Sequence, residues 1–148
     1  MCKTAARLKQ YDIAYMKMAK AIAELSYAEK KKVGAIIVSP EGQVISHGFN
    51  GMPTGWDNCC EDVTPDGKLV TKVEVLHAES NALLKSAKSN TSTKNATLYV
   101  TLSPCINCAK LIHQADIVRV VYITKYKDLS GIDFLEKCGI TVEQLTDF

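Results

Sequence analysis

The segments His77-Ala-Glu79 and Pro104-Cys105-Ile-Asn-Cys108 each open a stretch whose composition predicts a helix, and the second follows a predicted strand. Pro104 suits a helix N-terminus, because the N–H that proline lacks would have no partner within the helix there. Cys105 and Cys108 are three residues apart, so they share one face of the first helical turn. The two segments together offer an imidazole, two thiols and a carboxyl group.

One imidazole and two thiolates make three zinc ligands, and this number predicts a catalytic site. Structural zinc usually has four protein ligands, whereas three leave a position for water or substrate. A helix N-terminus stabilises thiolates, and zinc lowers the pKa of a bound water from about 16 to about 7. Glu79, two residues from His77, is then the group predicted to carry protons between water, substrate and leaving group.

Each motif has a simpler interpretation when it is taken alone. A Cys-x-x-Cys pair is as typical of a redox pair or of chance as of a metal site, and an isolated His-x-Glu carries little information. The order of the two motifs, the proline before the first cysteine and the helix start at each favour a hydrolytic zinc site. A non-catalytic module that binds zinc only to fold is the alternative, and it requires a fourth protein ligand.

The composition is that of an ordinary globular protein. The chain has 148 residues, predicted to form one domain over residues 1–148, and a net charge of +2. Such a charge argues against a nucleic-acid partner, which needs a large basic face. The longest apolar run, residues 33–38, is far shorter than the roughly 20 residues of a membrane helix. Six cysteines without a secretory signal predict a cytoplasmic protein, in which close cysteines bind metal or do redox work.

The hydrophobic pattern of the first half predicts a helix, a hairpin and a long loop. One helical face is predicted to pack on the core, formed by Leu8, Tyr11, Tyr15, Met18, Ile22 and Leu25. Two β-rich runs, 33–38 and 43–46, flank a Pro/Gly turn and predict an antiparallel hairpin. Residues 49–72 show no regular period, which is typical of a functional loop or a lid.

Helices and strands alternate in the second half. The predicted helices are 77–88, 105–115 and 132–138, and the predicted strands are 96–102, 117–123 and 140–145. This alternation favours a layered α/β protein whose sheet has parallel strands in its second half.

The combined pattern H-x-E…P-C-x-x-C resembles the signature of the zinc-dependent cytidine and deoxycytidylate deaminase superfamily. The resemblance implies a three-layer α/β/α sandwich with a five-stranded mixed sheet. It also implies that His77, Cys105 and Cys108 hold Zn²⁺ and that Glu79 is the proton shuttle.

Segments outside the signature are similar to the deoxycytidylate deaminases in particular. They are His47-Gly-Phe-Asn-Gly-Met-Pro-Thr-Gly55, residues 57–61, residues 75–82 and the tyrosine-containing residues 122 and 126–128. The similarity implies hydrolysis of dCMP to dUMP and ammonia, a step of pyrimidine deoxynucleotide metabolism that supplies a precursor of dTTP. A tRNA-adenosine deaminase and a free cytidine or riboflavin-pathway deaminase are the alternatives within the superfamily.

The residues predicted to bind the substrate are Asn50, Ala78, Ser103, Tyr122, Tyr126 and Lys127. The amide of Asn50 offers donors and an acceptor to a sugar hydroxyl, although an asparagine before glycine also suits a turn. The candidate cations for a 5′-phosphate are Lys127, Arg119 and the run Lys30-Lys31-Lys32.

The resemblance also implies assembly and regulation. It predicts a homo-oligomer, a hexamer or a trimer, that dCTP activates and dTTP inhibits, with Mg²⁺ accompanying the regulatory nucleotide. The candidate regulatory residues are Asn50, Gly51, Pro53 and Gly55. Cys59 and Cys60 follow in the same irregular segment and belong to no clear four-ligand set, so they are predicted to be free or structural.

Overall fold

The computed structural model describes residues 4–146. The helices are α1 (Ala5–Ala23), α2 (Ala78–Ala87), α3 (Ile106–Gln114) and α4 (Ser130–Lys137). The strands are β1 (Gly34–Val38), β2 (Val44–Phe49), β3 (Glu61–Val63), β4 (Leu69–Thr71), β5 (Thr97–Leu102), β6 (Arg119–Thr124) and β7 (Thr141–Gln144). No helix among these described residues combines the length and the apolar character that crossing a membrane requires.

Five strands form one mixed sheet in the order β2-β1-β5-β6-β7. The pairs β1–β2 and β1–β5 are antiparallel, whereas β5–β6 and β6–β7 are parallel. Helix α1 packs on one face of the sheet. The other three helices supply the core on the opposite face. The predicted hairpin, the parallel second half and the three-layer α/β/α sandwich are confirmed.

The packing face of α1 is displaced by one position from the predicted face, of which Tyr15 and Ile22 do pack against the core as partly buried residues. Leu8, Met18 and Leu25 are exposed, while Met16 and Ala19 are buried against the sheet. Small alanines approach the sheet more closely than leucine would, and they carry a weak hydrophobic signal.

A buried ion pair fixes this orientation of α1. Asp12 accepts hydrogen bonds from both terminal nitrogens of Arg119, at 2.8 and 2.7 Å, and from the Tyr99 hydroxyl at 2.6 Å. Burial raises the pKa of Asp12, but the bonds from Arg119 and Tyr99 outweigh it and hold that pKa below its usual 3.8. Arg119 also bonds Glu143, so this candidate cation for the phosphate is already paired with two carboxylates.

The segment predicted to be irregular, residues 49–72, contains a short antiparallel hairpin. Strands β3 and β4 pair with Glu61 opposite Thr71 and Val63 opposite Leu69. The turn between them is closed by a hydrogen bond from the Gly67 N–H to the Thr64 carbonyl. Strands of three residues are too short to show an alternating pattern, although the Pro-Asp-Gly sequence of residues 65–67 was a turn signal.

Two glycines let the helices that carry the predicted metal ligands approach their neighbours. A Cβ on Gly48 of β2 would lie 2.3 Å from the Ala78 carbonyl oxygen, at the start of α2. A Cβ on Gly131 of α4 would lie 2.0 Å from the carbonyl oxygen of Pro104, just before α3. Both contacts are with backbone atoms, so the absence of a side chain sets the position of each helix start.

Candidate metal centre and active site

His77 and Cys105 occupy equivalent places, each being the extended residue immediately before a helix. His77 precedes α2 and Cys105 precedes α3. Cys108 lies in the first turn of α3, and Glu79 lies in the first turn of α2. The structure therefore brings all four side chains of the two sequence motifs together at two adjacent helix N-termini, where unpaired N–H groups favour anionic ligands.

The ligand atoms of His77, Cys105 and Cys108 are spaced as a zinc ion requires. The Nδ1 atom of His77 lies 3.5 Å from the Cys105 sulfur and 3.4 Å from the Cys108 sulfur. Zinc bonds of roughly 2.3 Å to sulfur and 2.0–2.1 Å to nitrogen at a tetrahedral angle place these atoms about 3.6 Å apart. In residues 4–146 this is the one group of three or more His, Cys, Asp or Glu side chains with such spacing.

The charges of the group also suit a divalent cation. Hydrogen bonds with Cys108 and His77 lower the pKa of Cys105 to about 3. The hydrogen bond with Cys105, burial and the charge of Glu79 raise the pKa of Cys108. Two thiolates and an ionised Glu79 so close together repel one another. A bound dication supplies the positive charge that stabilises all three. The donor set therefore fits zinc in both geometry and charge.

Glu79 stands beside this group without belonging to it. Its carboxylate is outside the set of mutually close ligand atoms, and the residue is only 4% exposed. Burial raises the pKa of Glu79 to about 7. A carboxyl group with this pKa both accepts and releases a proton near neutral pH.

A cavity of about 290 Å³ opens against His77, Glu79 and Cys105. This volume is close to the lower end of the roughly 300–1,000 Å³ of small-molecule sites. Five of the six residues predicted to bind substrate line it: Asn50, Ala78, Ser103, Tyr126 and Lys127. Lys30 and Lys31 of the basic run line it as well.

The sixth residue, Tyr122, is placed elsewhere. It is buried in the hydrophobic core and is not part of the cavity lining. Tyr122 lies in β6, and its side chain shares the core cluster of Ile132 and Leu135. The sequence shows that Tyr122 is in a strand but not which face of the sheet it occupies.

Asn50 anchors one wall of the cavity. Its Oδ1 accepts a hydrogen bond of 2.8 Å from the Val33 N–H, and its Nδ2 donates one of 2.8 Å to the Lys31 carbonyl. One N–H of the amide and one lone pair of its oxygen are left for a ligand. Asn50 therefore has a structural role in the cavity wall, and its role in binding a ligand stays a prediction.

Ser103 positions the segment that carries Tyr126 and Lys127. The Ser103 hydroxyl accepts a 2.7 Å hydrogen bond from the Tyr126 N–H, and the Ser103 N–H donates to the Thr124 carbonyl. The chain beyond β6 is therefore held at the edge of the cavity, where both following residues line it.

Of the predicted regulatory residues, Asn50 lines the cavity, whereas Gly51, Pro53 and Gly55 do not. Gly51 exchanges two backbone hydrogen bonds with Leu76, of 3.1 and 2.8 Å. Leu76 immediately precedes His77, so this bridge ties the start of the segment 51–55 to a candidate zinc ligand.

Cys59 and Cys60 contribute no metal ligand set within the described residues. The Cys59 thiol donates a hydrogen bond to the Glu61 carbonyl and the Cys60 thiol donates one to the Asn58 carbonyl. Neither forms a disulfide bond.

Glu61 also lines the cavity, although it is not among the predicted site residues. It stands beside another acidic residue in a segment without regular period, so no spacing distinguished it from a surface carboxylate.

Comparison with known proteins places the chain in a family. Residues 9–124 match the model of the cytidine and deoxycytidylate deaminase zinc-binding region. The human deoxycytidylate deaminase is 39% identical over 86% of this chain and 72% of its own length. The phage T4 deoxycytidylate deaminase is 35% identical over 75% of this chain and 77% of its own.

A solved structure gives the same result. The dCMP deaminase of cyanophage S-TIM5, in complex with dCMP and dUMP, superposes with a TM-score of 0.85 and 42% identity, covering 97% of this chain and all of that one. The fold and the site define a zinc-binding domain of the hydrolytic deaminase type. The chain belongs to the cytidine and deoxycytidylate deaminase family.

Proposed function

We propose that the protein is a deoxycytidylate deaminase, which hydrolyses dCMP to dUMP and ammonia. The observation that carries this proposal is a buried carboxyl group, Glu79, beside three zinc-spaced ligand atoms in a cavity that three lysines line. Support comes from the relatives of that name and from the cyanophage protein, whose structure contains dCMP and dUMP.

In this proposal His77, Cys105 and Cys108 hold Zn²⁺, which when bound supplies an acidified water at neutral pH. Glu79 accepts one proton from the attacking water and delivers it to N3 of the cytosine ring. It then carries the second proton of that water to the amino group, which leaves as ammonia. The exclusion of solvent around Glu79 keeps these protons between the carboxylate and the substrate.

The rest of the cavity accommodates the nucleotide in this scheme. Ala78 and Tyr126 offer surface to the base, and the amide of Asn50 bonds the sugar. The ammonium groups of Lys30, Lys31 and Lys127 face the 5′-phosphate, because a dianion in a cavity needs cations. The remaining member of the predicted set, Tyr122, has no role here, since its side chain lies in the core.

The test is ammonia release from dCMP, CMP, dCTP and deoxycytidine, measured side by side with and without added dCTP. The proposal expects dCMP to be the best substrate and deoxycytidine, which lacks the phosphate, to be much worse. Equal rates with deoxycytidine and dCMP would assign the enzyme to the nucleoside deaminases. Tight tRNA binding that weakens steeply with salt would assign it to the tRNA-adenosine deaminases.

We propose further that the protein is a homo-oligomer, a hexamer or a trimer. Exposed apolar side chains support this, among them Tyr27, Trp56 and Val73, of which Val73 is 96% exposed. Light scattering on the purified protein measures the state. The free cysteines and the need for reduced zinc ligands support a cytoplasmic location.

Regulation by dCTP as activator and dTTP as inhibitor, with Mg²⁺ bound to the nucleotide, is also part of the proposal. The backbone bridge between Gly51 and Leu76 supports the segment 51–55 as the regulatory element, since a shift there reaches His77 directly. Activity titrated with each nucleotide, with and without Mg²⁺, tests this.

A further inference from the structure

Glu61 is a buried carboxylate in the candidate active site for which the proposed reaction has no use. It is 7% exposed and lines the same cavity as His77 and Glu79. Among the described residues that line this cavity, Glu61 and Glu79 are the two acidic ones. A second carboxylate in a site for a dianionic nucleotide opposes binding unless it makes a favourable contact with the ligand, so its presence calls for an explanation.

One oxygen of Glu61 is fully used by the protein. Oε2 accepts hydrogen bonds of 2.9 and 3.0 Å from the backbone N–H groups of Glu29 and Lys30. These bonds hold the segment that carries Lys30 and Lys31, two of the three lysines in the cavity lining.

The other oxygen, Oε1, has no hydrogen-bond partner among residues 4–146. No fully buried side-chain oxygen in this part of the chain lacks a partner, so Oε1 must reach open space. Since the residue lines the cavity, the proposal below assigns Oε1 to that space. An ionised carboxylate oxygen placed there accepts hydrogen bonds and donates none.

Glu61 and Asn50 hold the same short segment from the same side. Glu61 bonds the N–H of Lys30, and the amide of Asn50 bonds the carbonyl of Lys31, the next residue. The two side chains therefore stand close together in the cavity wall, next to the lysines. A ligand that carries a hydrogen-bond donor, such as a hydroxyl, together with an anionic group is complementary to this wall.

Given the proposed function, on which this step rests, the ligand has one such donor. The sugar of dCMP carries a single free hydroxyl, the 3′-OH. We propose that Oε1 of Glu61 accepts a hydrogen bond from the 3′-hydroxyl of the substrate, and that its negative charge excludes nucleotides with a phosphate at that position. Glu61 is thus a specificity-determining residue that restricts the enzyme to free mononucleotides and keeps it from acting on DNA strands.

The experiment compares three nucleotides: dCMP, 2′,3′-dideoxycytidine 5′-monophosphate and deoxycytidine 3′,5′-bisphosphate. Removing a hydrogen bond to a charged acceptor costs roughly 10- to 100-fold. We therefore expect zinc-loaded wild-type protein to have a kcat/KM for the dideoxy compound lower than that for dCMP by about that factor, and to be nearly inactive on the bisphosphate.

Two variants locate the effect at Glu61. In Glu61→Ala the dCMP-to-dideoxy ratio of kcat/KM should fall to near one. In Glu61→Gln the amide oxygen has to stay with the two backbone N–H groups, so an uncharged NH2 donor replaces Oε1. The 3′-hydroxyl can then only accept from this group, so the preference for it should shrink to a few-fold, and use of the bisphosphate should rise about tenfold or more. Asp62→Asn is the matched control, because it removes the neighbouring carboxylate, whose side chain is 74% exposed; both ratios should stay at their wild-type values.

The ratio of kcat/KM for dCMP to that for the dideoxy compound distinguishes binding of the 3′-hydroxyl from support of the Lys30 segment. If Glu61 only holds the Lys30 segment, its loss lowers kcat/KM for dCMP and the dideoxy compound alike and leaves their ratio unchanged. An unchanged ratio in Glu61→Ala, or a wild-type protein that uses both compounds equally, overturns the proposal. If Glu61→Ala does not fold, the bisphosphate result with Glu61→Gln decides. Absence of dCMP turnover by the zinc-loaded wild type would instead refute the proposed function.

Discussion

Replacing Gly48 with alanine should disable the site from a position outside the cavity. The new Cβ would lie 2.3 Å from the Ala78 carbonyl oxygen and 2.6 Å from the Ala82 N–H nitrogen. Ordinary contact begins near 3.4 Å, so α2 must retreat by about 1 Å. Helix α2 carries Glu79 in its first turn and follows directly from His77.

Two magnitudes follow from this displacement. Over-packing of this kind costs about 1–3 kcal/mol of the free energy of unfolding. A shift of about 1 Å in a catalytic group costs about 100-fold in rate. We expect Gly48→Ala to fold with reduced stability and to release ammonia from dCMP about 100-fold more slowly per folded, zinc-loaded chain. Urea unfolding and an ammonia assay at matched zinc content measure the two effects.

Gly139→Ala is the matched control. Gly139 follows α4 with a φ of 82°, and a Cβ there would meet nothing within 4 Å. Alanine in this left-handed conformation costs roughly 1–2 kcal/mol, a similar loss of stability without a displaced catalytic helix. Its rate per folded chain should stay near that of the wild type. A Gly48→Ala variant with normal turnover would show that the close packing of β2 and α2 does not position the site.

Three further predictions address single residues. Glu79→Gln should keep bound zinc but lose about 10²- to 10⁴-fold of the deamination rate, which metal analysis and kinetics on one sample measure; near-normal turnover would remove Glu79 as the proton carrier. Cys105→Ala should lose zinc and thermal stability together, and full zinc occupancy would take Cys105 off the ligand set. Asp12→Asn should cost about 3 kcal/mol of unfolding free energy at pH 7. The pKa of Asp12 is lower in the folded protein than in the unfolded chain, so the stabilisation by its carboxylate is present above pH about 4 and is lost as pH falls through the folded value. The free energies of unfolding of variant and wild type should therefore converge in acid. A constant difference between them down to pH 2 would refute the ion-pair explanation.

The predicted elements that the structure confirms have their signals close together in sequence. Each helix has a period of 3.6 residues, and each candidate zinc ligand belongs to a motif of three to five residues. The positions of Cys105 and Cys108 on one helical turn follow from their spacing alone. That His77 meets them follows from the family resemblance and not from the spacing.

The predictions that the structure does not support concern which side of an element faces which neighbour. Arg119 was a candidate for the phosphate because a sequence does not show that Asp12, 107 residues away, neutralises it. The strand that contains Tyr122 was predicted correctly, but the sequence did not show which face of the sheet its side chain occupies. Glu61 was missed because the burial of its carboxylate depends on N–H groups of a distant segment, which the sequence does not show to be near it.

The most direct test of the account is reconstitution of the metal-free protein with zinc. A chelator removes the metal, zinc is added back in steps, and ammonia release from dCMP is measured at each step. We expect no activity at zero zinc and a linear rise that breaks at one zinc per chain in the wild type. In Glu79→Gln we expect zinc binding of the same stoichiometry but little turnover. Full activity in protein that contains no metal would contradict the account.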